Sequence, residues 1–194
     1  MSAPLIILTG PSAAGKTTIA KMLLQKKSLN LKRFVTCTTR PKRKGEVNHK
    51  DYHFLSEEDF KKAIKNKEMI EWSKVYGNYY GSRKKDLLNS LSGKNPVLLI
   101  VDSQGVKKIK KIIPTCCVIF IDISKKTLLK RLKERASNSN ENQTRIDKYE
   151  AEKEAMTLAD KVINNKDGEL SETIKNVATT INFGILLQKK AKKA

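Results

Sequence analysis

Residues 4–17 read Pro4-Leu5-Ile6-Ile7-Leu8-Thr9-Gly10-Pro11-Ser12-Ala13-Ala14-Gly15-Lys16-Thr17, and their reading decides the fold. Leu5 to Leu8 is an unbroken apolar run, which suits a strand covered on both faces. Gly10 to Thr17 match G-x-x-x-x-G-K-[ST]. From about Thr17 to Lys27, Ile19, Met22 and Leu23 fall on one helical face. The glycines permit a tight turn that aims successive backbone N–H groups at one point, and the helix N-terminus adds its partial positive charge. In such a cradle Gly10, Pro11, Ser12, Ala13, Ala14, Gly15, Lys16, Thr17 and Thr18 surround the phosphates of a nucleoside triphosphate. Lys16 reaches the β- and γ-phosphates, and Thr17 sets its hydroxyl on Mg²⁺. By residue frequency the pattern arises in on the order of one per cent of chains of this size, and its place between strand and helix is the context the motif requires. The cradle implies a bound triphosphate and leaves the second substrate to be read elsewhere.

Outward from this unit, apolar runs alternate with helical patterns, the mark of an α/β fold with a mainly parallel sheet. Val97–Val101 and Cys117–Ile121 read as further buried strands, and Leu128, Leu129 and Leu132 mark a helix from about Lys125 to Arg135. A polar stretch from Ala136 to Thr144 reads as mobile, followed by a charged helix to about Ala159. Val162-Ile163 is an expected edge strand, and a C-terminal helix ends in a Lys-rich tail. Between the first helix and Val97 the elements are shorter and more polar. A short strand is expected near Phe34-Val35-Thr36-Cys37 and another at Tyr52–Leu55. Ser56 caps the next helix, because Asp59 sits three residues on. Met69–Trp72 reads as a strand and Gly77–Gly81 as a tight loop. The chain is therefore expected to be one domain over 1–194. Its core spans about 1–35 and 92–194, with a small lobe inserted at about 36–91 and a lid at about 131–148.

Composition narrows the class. The chain has 194 residues and 39% hydrophobic content, enough to bury a real core and too much for a disordered chain. No apolar run approaches the roughly 20 residues of a membrane span, and no targeting signal opens the sequence, so a cytoplasmic, non-membrane protein is expected. The three cysteines, Cys37, Cys116 and Cys117, form no CxxC pair and read as reduced core thiols. Cys116 and Cys117, adjacent on a strand, should face opposite ways. The net charge of +20 would suit a nucleic-acid binder. A Lys-, Asn- and Ile-rich composition and a cleft for polyphosphates account for it as well, and nucleic acid is not the expected partner. His49 and His53 read as structural.

Thr36-Cys37-Thr38-Thr39-Arg40-Pro41-Lys42-Arg43-Lys44-Gly45-Glu46 gathers hydroxyls and two arginines around a turn. Guanidinium forks match phosphate oxygens bidentately, so Arg40 and Arg43 near Tyr52 can hold a monophosphate, although composition alone equally allows a solvated basic loop. Here the sequence resembles the guanylate kinase family. That resemblance rests on T-T-R-P-x-R-x-G-E followed by Asp51-Tyr52-His53-Phe54, on Ile70-Glu71-Trp72, and on Gly77-Asn78-Tyr79-Tyr80-Gly81-Ser82. Asp102-Ser103-Gln104-Gly105 and Arg131-Leu132-Lys133-Glu134-Arg135 continue it in the family's order over about residues 4–185.

The resemblance implies a P-loop nucleoside-monophosphate-kinase fold and ATP-dependent phosphorylation of GMP, and of dGMP, by a monomer or homodimer. It implies that Arg40, Arg43, Tyr52 and Tyr80 bind the GMP phosphate with Glu46 beside them, and that Glu71, Ser82 and Thr36 read the guanine. Asp102 would lie at the nucleotide side. Arg131, Arg135 and Arg145 would come from the lid to the ATP phosphates, and Asn165 would lie against the adenine. Guanine shows N1–H and N2–H₂ as donors and O6 as acceptor. An ionised Glu71 accepts from both donors, whereas adenine would leave it unpaired. Two features depart from the family: Ile100 stands where an acidic residue is usual, and the lid is about one residue short, without the glycine that usually follows Arg135. The acceptor phosphate is already ionised, so no general base is needed. A P-loop kinase for another phosphate acceptor would not need Glu71 with Ser82. A non-catalytic module of the same shape could dispense with Lys16 and the lid arginines.

Overall fold

The computed structural model describes residues 3–134 and 139–190, with backbone alone at 139–140. The first strand, β1 (Leu5–Thr9), lies at the middle of a five-stranded parallel sheet. The others are β2 (Lys32–Arg33), β7 (Val97–Ile100), β8 (Cys117–Asp122) and β9 (Lys161–Asn164), in the order β2-β7-β1-β8-β9. Side chains alternate along β1. Ile6 and Leu8 pack on one face with α1 (Lys16–Gln25), α5 (Lys125–Glu134) and α8 (Leu170–Lys190), through Ile19, Leu128 and Val177. Leu5 and Ile7 pack on the other, against Leu87 of α3 (Lys84–Leu91) and Val106 and Ile109 of α4 (Ser103–Ile112). Each such fully buried Leu or Ile contributes roughly 1.5–3 kcal/mol. Cys116 joins the second cluster and Cys117 the first, so the adjacent thiols face opposite sides as expected. Burial pushes their pKa values up to about 11 and about 12.

From β1 the chain runs outward to the edge strand β2, returns to β7, and crosses β1 to reach β8. This reversal opens a crevice at the carboxyl end of β1, where α/β sheets bind ligands. Between β2 and β7 the chain builds a second sheet, in the order β4-β3-β6-β5. Its strands are β3 (Cys37–Thr38), β4 (His53–Phe54), β5 (Met69–Val75) and β6 (Asn78–Arg83). Ser56 caps α2 (Glu57–Lys65) by accepting from Asp59 N–H at 3.0 Å, as its spacing predicts.

Three readings are corrected. The strand expected at 34–37 is split: Phe34 N–H bonds Leu98 in the parallel sheet, while the Thr36 carbonyl already accepts from His53 in the other. The chain changes sheets between these residues, which leaves β2 and β3 on either side. The expected loop at 77–81 is mostly strand, because the turn is only Tyr76-Gly77, with φ of 51° and 79°. Two positive φ angles give the type I′ hairpin whose twist matches its strands. The charged helix expected after Thr144 begins earlier, as α6 (Ser139–Asp147), which α7 (Tyr149–Lys153) follows. Residues 135–138 lie outside the described residues. No described helix is long and apolar enough to cross a membrane.

Candidate active site

The turn after β1 is shaped by its glycines. Gly10 has φ 136°, and a Cβ there would stand 2.1 Å from the Ile121 carbonyl oxygen. Gly15 has φ 87°, and its Cβ would meet Asn165 Nδ2 at 2.7 Å. Ala13 takes φ 59°, a conformation that L residues usually avoid. Gly15 is the N-cap of α1 and offers no capping side chain, and a helix start of this kind suits an anion. Lys16 Nζ donates to the carbonyls of Gly10 at 2.6 Å and Pro11 at 2.8 Å, which arches it over the loop. Thr17 and Thr18 are exposed at the cleft.

Across the crevice stands β5, whose alternate residues Glu71, Ser73 and Val75 line the same cleft as Gly10 to Thr18. Glu71 is 4% exposed, and its Oε1 accepts from Ser82 Oγ at 2.6 Å. Burial pushes its pKa up to about 7. The charge of Asp102 pushes the same way, and the Ser82 hydrogen bond pulls back. Asp102 caps α4, accepting from Gly105 N–H at 2.8 Å and from the Ser73 hydroxyl. Ser82 itself is fully buried behind Glu71, its hydroxyl directed at the carboxylate. Trp72, on the opposite face of β5, lies under Lys108 at 4.9 Å and outside the cleft.

Thr36, Arg43, Tyr52 and Tyr80 line the cleft at the end of the second sheet. Arg40 lies beside them, its guanidinium 5.5 Å over the Tyr52 ring, with Nη2 donating to both oxygens of Glu46 at 2.7 and 3.0 Å. Burial raises and the Arg40 bond lowers the Glu46 carboxyl, and the net effect holds it below the usual carboxylate range. Glu46 also accepts from Arg43 N–H at 2.8 Å, so it fixes the turn that presents both arginines.

The lid arginines divide. Arg145 is 7% exposed and lines the cleft, with Nη1 donating to Ser12 Oγ at 3.1 Å. Arg131 lies behind the loop. It donates to the carbonyls of Ala13 at 3.1 Å and Asn165 at 3.0 Å, and to Asp167 at 2.9 and 3.1 Å. Asn165 is buried, with Nδ2 bound to the Ala14 carbonyl at 2.9 Å and Oδ1 accepting from Thr173 at 3.3 Å. Both line a separate cavity with Thr18 and Gly168. Arg135 lies outside the described residues. The exposed His49 and the half-buried His53 pair through their Nδ1 atoms at 2.8 Å, away from the cleft.

Ser73, Tyr76 and Glu152 line the cleft and were not singled out in the sequence. Two-residue periodicity from Glu71 would have found Ser73. Glu152 lies seven residues after Arg145, two helical turns on, but that spacing carries a signal only once the segment is known to be helical.

A loop of the G-x-x-x-x-G-K-[ST] pattern at the carboxyl edge of a parallel sheet, facing a second sheet that buries a carboxylate in the same cleft, has the architecture of a P-loop nucleoside-monophosphate-kinase fold. The guanylate kinase family model matches residues 2–183, and the chain belongs to the guanylate kinase family, whose reaction is ATP-dependent phosphoryl transfer to GMP. The chain is 44% identical over 138 residues to the guanylate kinase of Caldanaerobacter subterraneus, a stretch covering 71% of this chain and 66% of that one. With the guanylate kinase of Fusobacterium nucleatum it is 34% identical over 183 residues, which cover 93% and 97% of the two chains. A crystal structure of guanylate kinase from Anaplasma phagocytophilum matches with a TM-score of 0.74 at 29% identity, covering 93% of this chain and 85% of the other.

Proposed function

We propose that this chain transfers the γ-phosphoryl group of ATP to GMP, and to dGMP, within the cleft between its two sheets. The observation that carries this reading is that one cleft is lined both by the phosphate loop and by Arg43, Tyr52, Glu71, Asp102 and Arg145. ATP lays its phosphates on the backbone N–H groups of residues 13–18, with its base toward the cavity of Arg131 and Asn165. GMP sets its phosphate against Arg43, Tyr52 and Tyr80, joined by Arg40 once a phosphate competes with Glu46. Its guanine gives N1–H and N2–H₂ to Glu71. Ser82 acts by holding that carboxylate, and Asp102 stands beside it. Residues 36–91 act as the acceptor lobe and 131–148 as the lid.

Mg²⁺ takes oxygen ligands, keeps several waters, and is commonly bound through few protein groups plus substrate phosphates. An exposed Thr17 hydroxyl at the helix start fits such a site, while Ile100, which also lines the cleft, supplies no carboxylate. When bound, the ion offsets charge on the β- and γ-phosphates. Lys16 and Arg145 neutralise the moving phosphoryl, and water is excluded as lobe and lid close. The cleft encloses about 230 Å³, below the range of ordinary ligand pockets, which supports a cleft that must open to admit two nucleotides. The test is ADP release measured with GMP, AMP, UMP and CMP in turn. GMP should give the dominant turnover, and equal rates with AMP would refute the assignment of Glu71.

A further inference from the structure

Tyr76 takes φ 51° in a turn that favours Asn or Gly, a conformation bulky residues avoid. Such a residue persists where its surroundings over-determine it, and here they do. The Tyr76 hydroxyl donates to Glu152 Oε1 at 2.9 Å, and Glu152 Oε2 accepts the N–H of Ser12, in the phosphate loop, at 2.7 Å. Arg145 donates to Ser12 Oγ at 3.1 Å while its guanidinium lies 5.1 Å from the centre of the Tyr76 ring, and Lys148 Nζ lies 5.2 Å from the same ring. These contacts close a ring: hairpin tip, Glu152, Ser12, Arg145, hairpin tip. Each part that must come together contributes a member: the second sheet, the helical segment α6–α7, and the phosphate loop. Burial, and then the Glu152 carboxylate, push the Tyr76 pKa up, so its hydroxyl stays a donor. Arg145 Nε is buried without a hydrogen-bond partner among the described residues.

We propose that Tyr76 and Glu152 are positioning residues, forming a catch through which closure of the second sheet sets Arg145 over the phosphate loop. The proposal rests on the reading of Arg145 as the arginine that meets the transferring phosphoryl. Neither residue touches the reacting atoms. Their effect passes through Arg145, whose misplacement by about 1 Å can cost on the order of a hundredfold in rate.

The test compares the full chain with Tyr76→Phe, Glu152→Ala and the double variant. Tyr76→Phe removes one oxygen, and Ala is the best helix former at position 152, so the fold should be kept. Each single variant should lose about tenfold or more in kcat, with KM for ATP and for GMP within about threefold of wild type. The double variant should be no worse than the weaker single, because both break one catch. ATP hydrolysis without GMP should rise as a fraction of turnover. Independently of activity, amide exchange at residues 10–15 and 139–153 should quicken in both single variants of the nucleotide-free protein. If Glu152→Ala lowers KM for ATP and keeps kcat, Glu152 is a stand-in for a phosphate and the catch is refuted. Losses that multiply in the double variant, or wild-type exchange in both singles, refute it too. A wild-type chain that fails to phosphorylate GMP would sink the functional reading, while the exchange measurement would still decide the docking.

Discussion

The phosphate cradle and the acceptor site face each other across one cleft, yet they are built by different means. The cradle is backbone. Its donors come from one continuous stretch, and its demands fall on φ angles at Gly10 and Gly15 and on the room a Cβ would need. The acceptor site is side chains. Glu71 and Ser82 come from neighbouring strands, Asp102 from a helix cap, and Arg40, Arg43 and Glu46 from a turn held by charge. Backbone sites withstand most side-chain changes and fail at a few points. A site made of buried charge answers to pH and to single hydroxyls.

The largest effect expected belongs to the cradle: Lys16→Ala should lower kcat by at least about a thousandfold, read by coupled ADP release, with the fold intact by circular dichroism. Near-normal turnover would show that the cradle works by amides alone. Next comes Glu71→Gln, which swaps one accepting oxygen for a donor. Preference for GMP over AMP in kcat/KM should fall by roughly a hundredfold or more, and an unchanged preference would move guanine recognition elsewhere.

The two halves should also differ in pH response. Glu71 must be ionised to accept both guanine donors, and burial, then Asp102, have pushed its pKa up to about 7. GMP should therefore bind more tightly as pH rises through about 7, with KM for ATP much less affected. The same group acts on stability with the opposite sign. Its folded pKa lies above the usual carboxylate value, so the folded state holds a proton that the unfolded chain has released. The empty protein should lose stability as pH rises from about 4.5 to about 7, and GMP should raise the melting temperature more at pH 8 than at pH 6. A pH-independent KM for GMP would contradict the burial of Glu71. Ser82→Ala should raise that midpoint, because the Ser82 bond favours the charged form, and should cost about 1 kcal/mol of stability. The smallest effect is again in the cradle: Ala13→Gly should relieve the φ of 59° and change stability by no more than about 1 kcal/mol, with turnover close to wild type.

The same contrast explains what could be read in the sequence. The cradle, the buried strands β1, β7 and β8, and the Ser56 cap rest on local patterns, and the structure has them at the expected places. Change of sheet between Phe34 and Thr36 was hidden because both halves are extended and local propensity does not say which sheet accepts a hydrogen bond. The Tyr76-Gly77 turn was hidden because Tyr is a poor choice for positive φ and its reason lies far along the chain, in Glu152 and Arg145. The resemblance supplied Arg145, Glu71 and Asp102, but spacing could not say that Ser82 is directed at Glu71 or that Asn165 braces the Ala14 carbonyl. Those facts belong to burial, which one-dimensional patterns report poorly.

The most direct measurement is a crystal structure with GMP and a non-hydrolysable ATP analogue bound together. The account predicts guanine N1 and N2 within about 3.2 Å of the Glu71 carboxylate oxygens, the GMP phosphate beside Arg40 and Arg43, and Arg145 against the γ-phosphate. A guanine ring turned away from Glu71, or a monophosphate seated away from those two arginines, would contradict it.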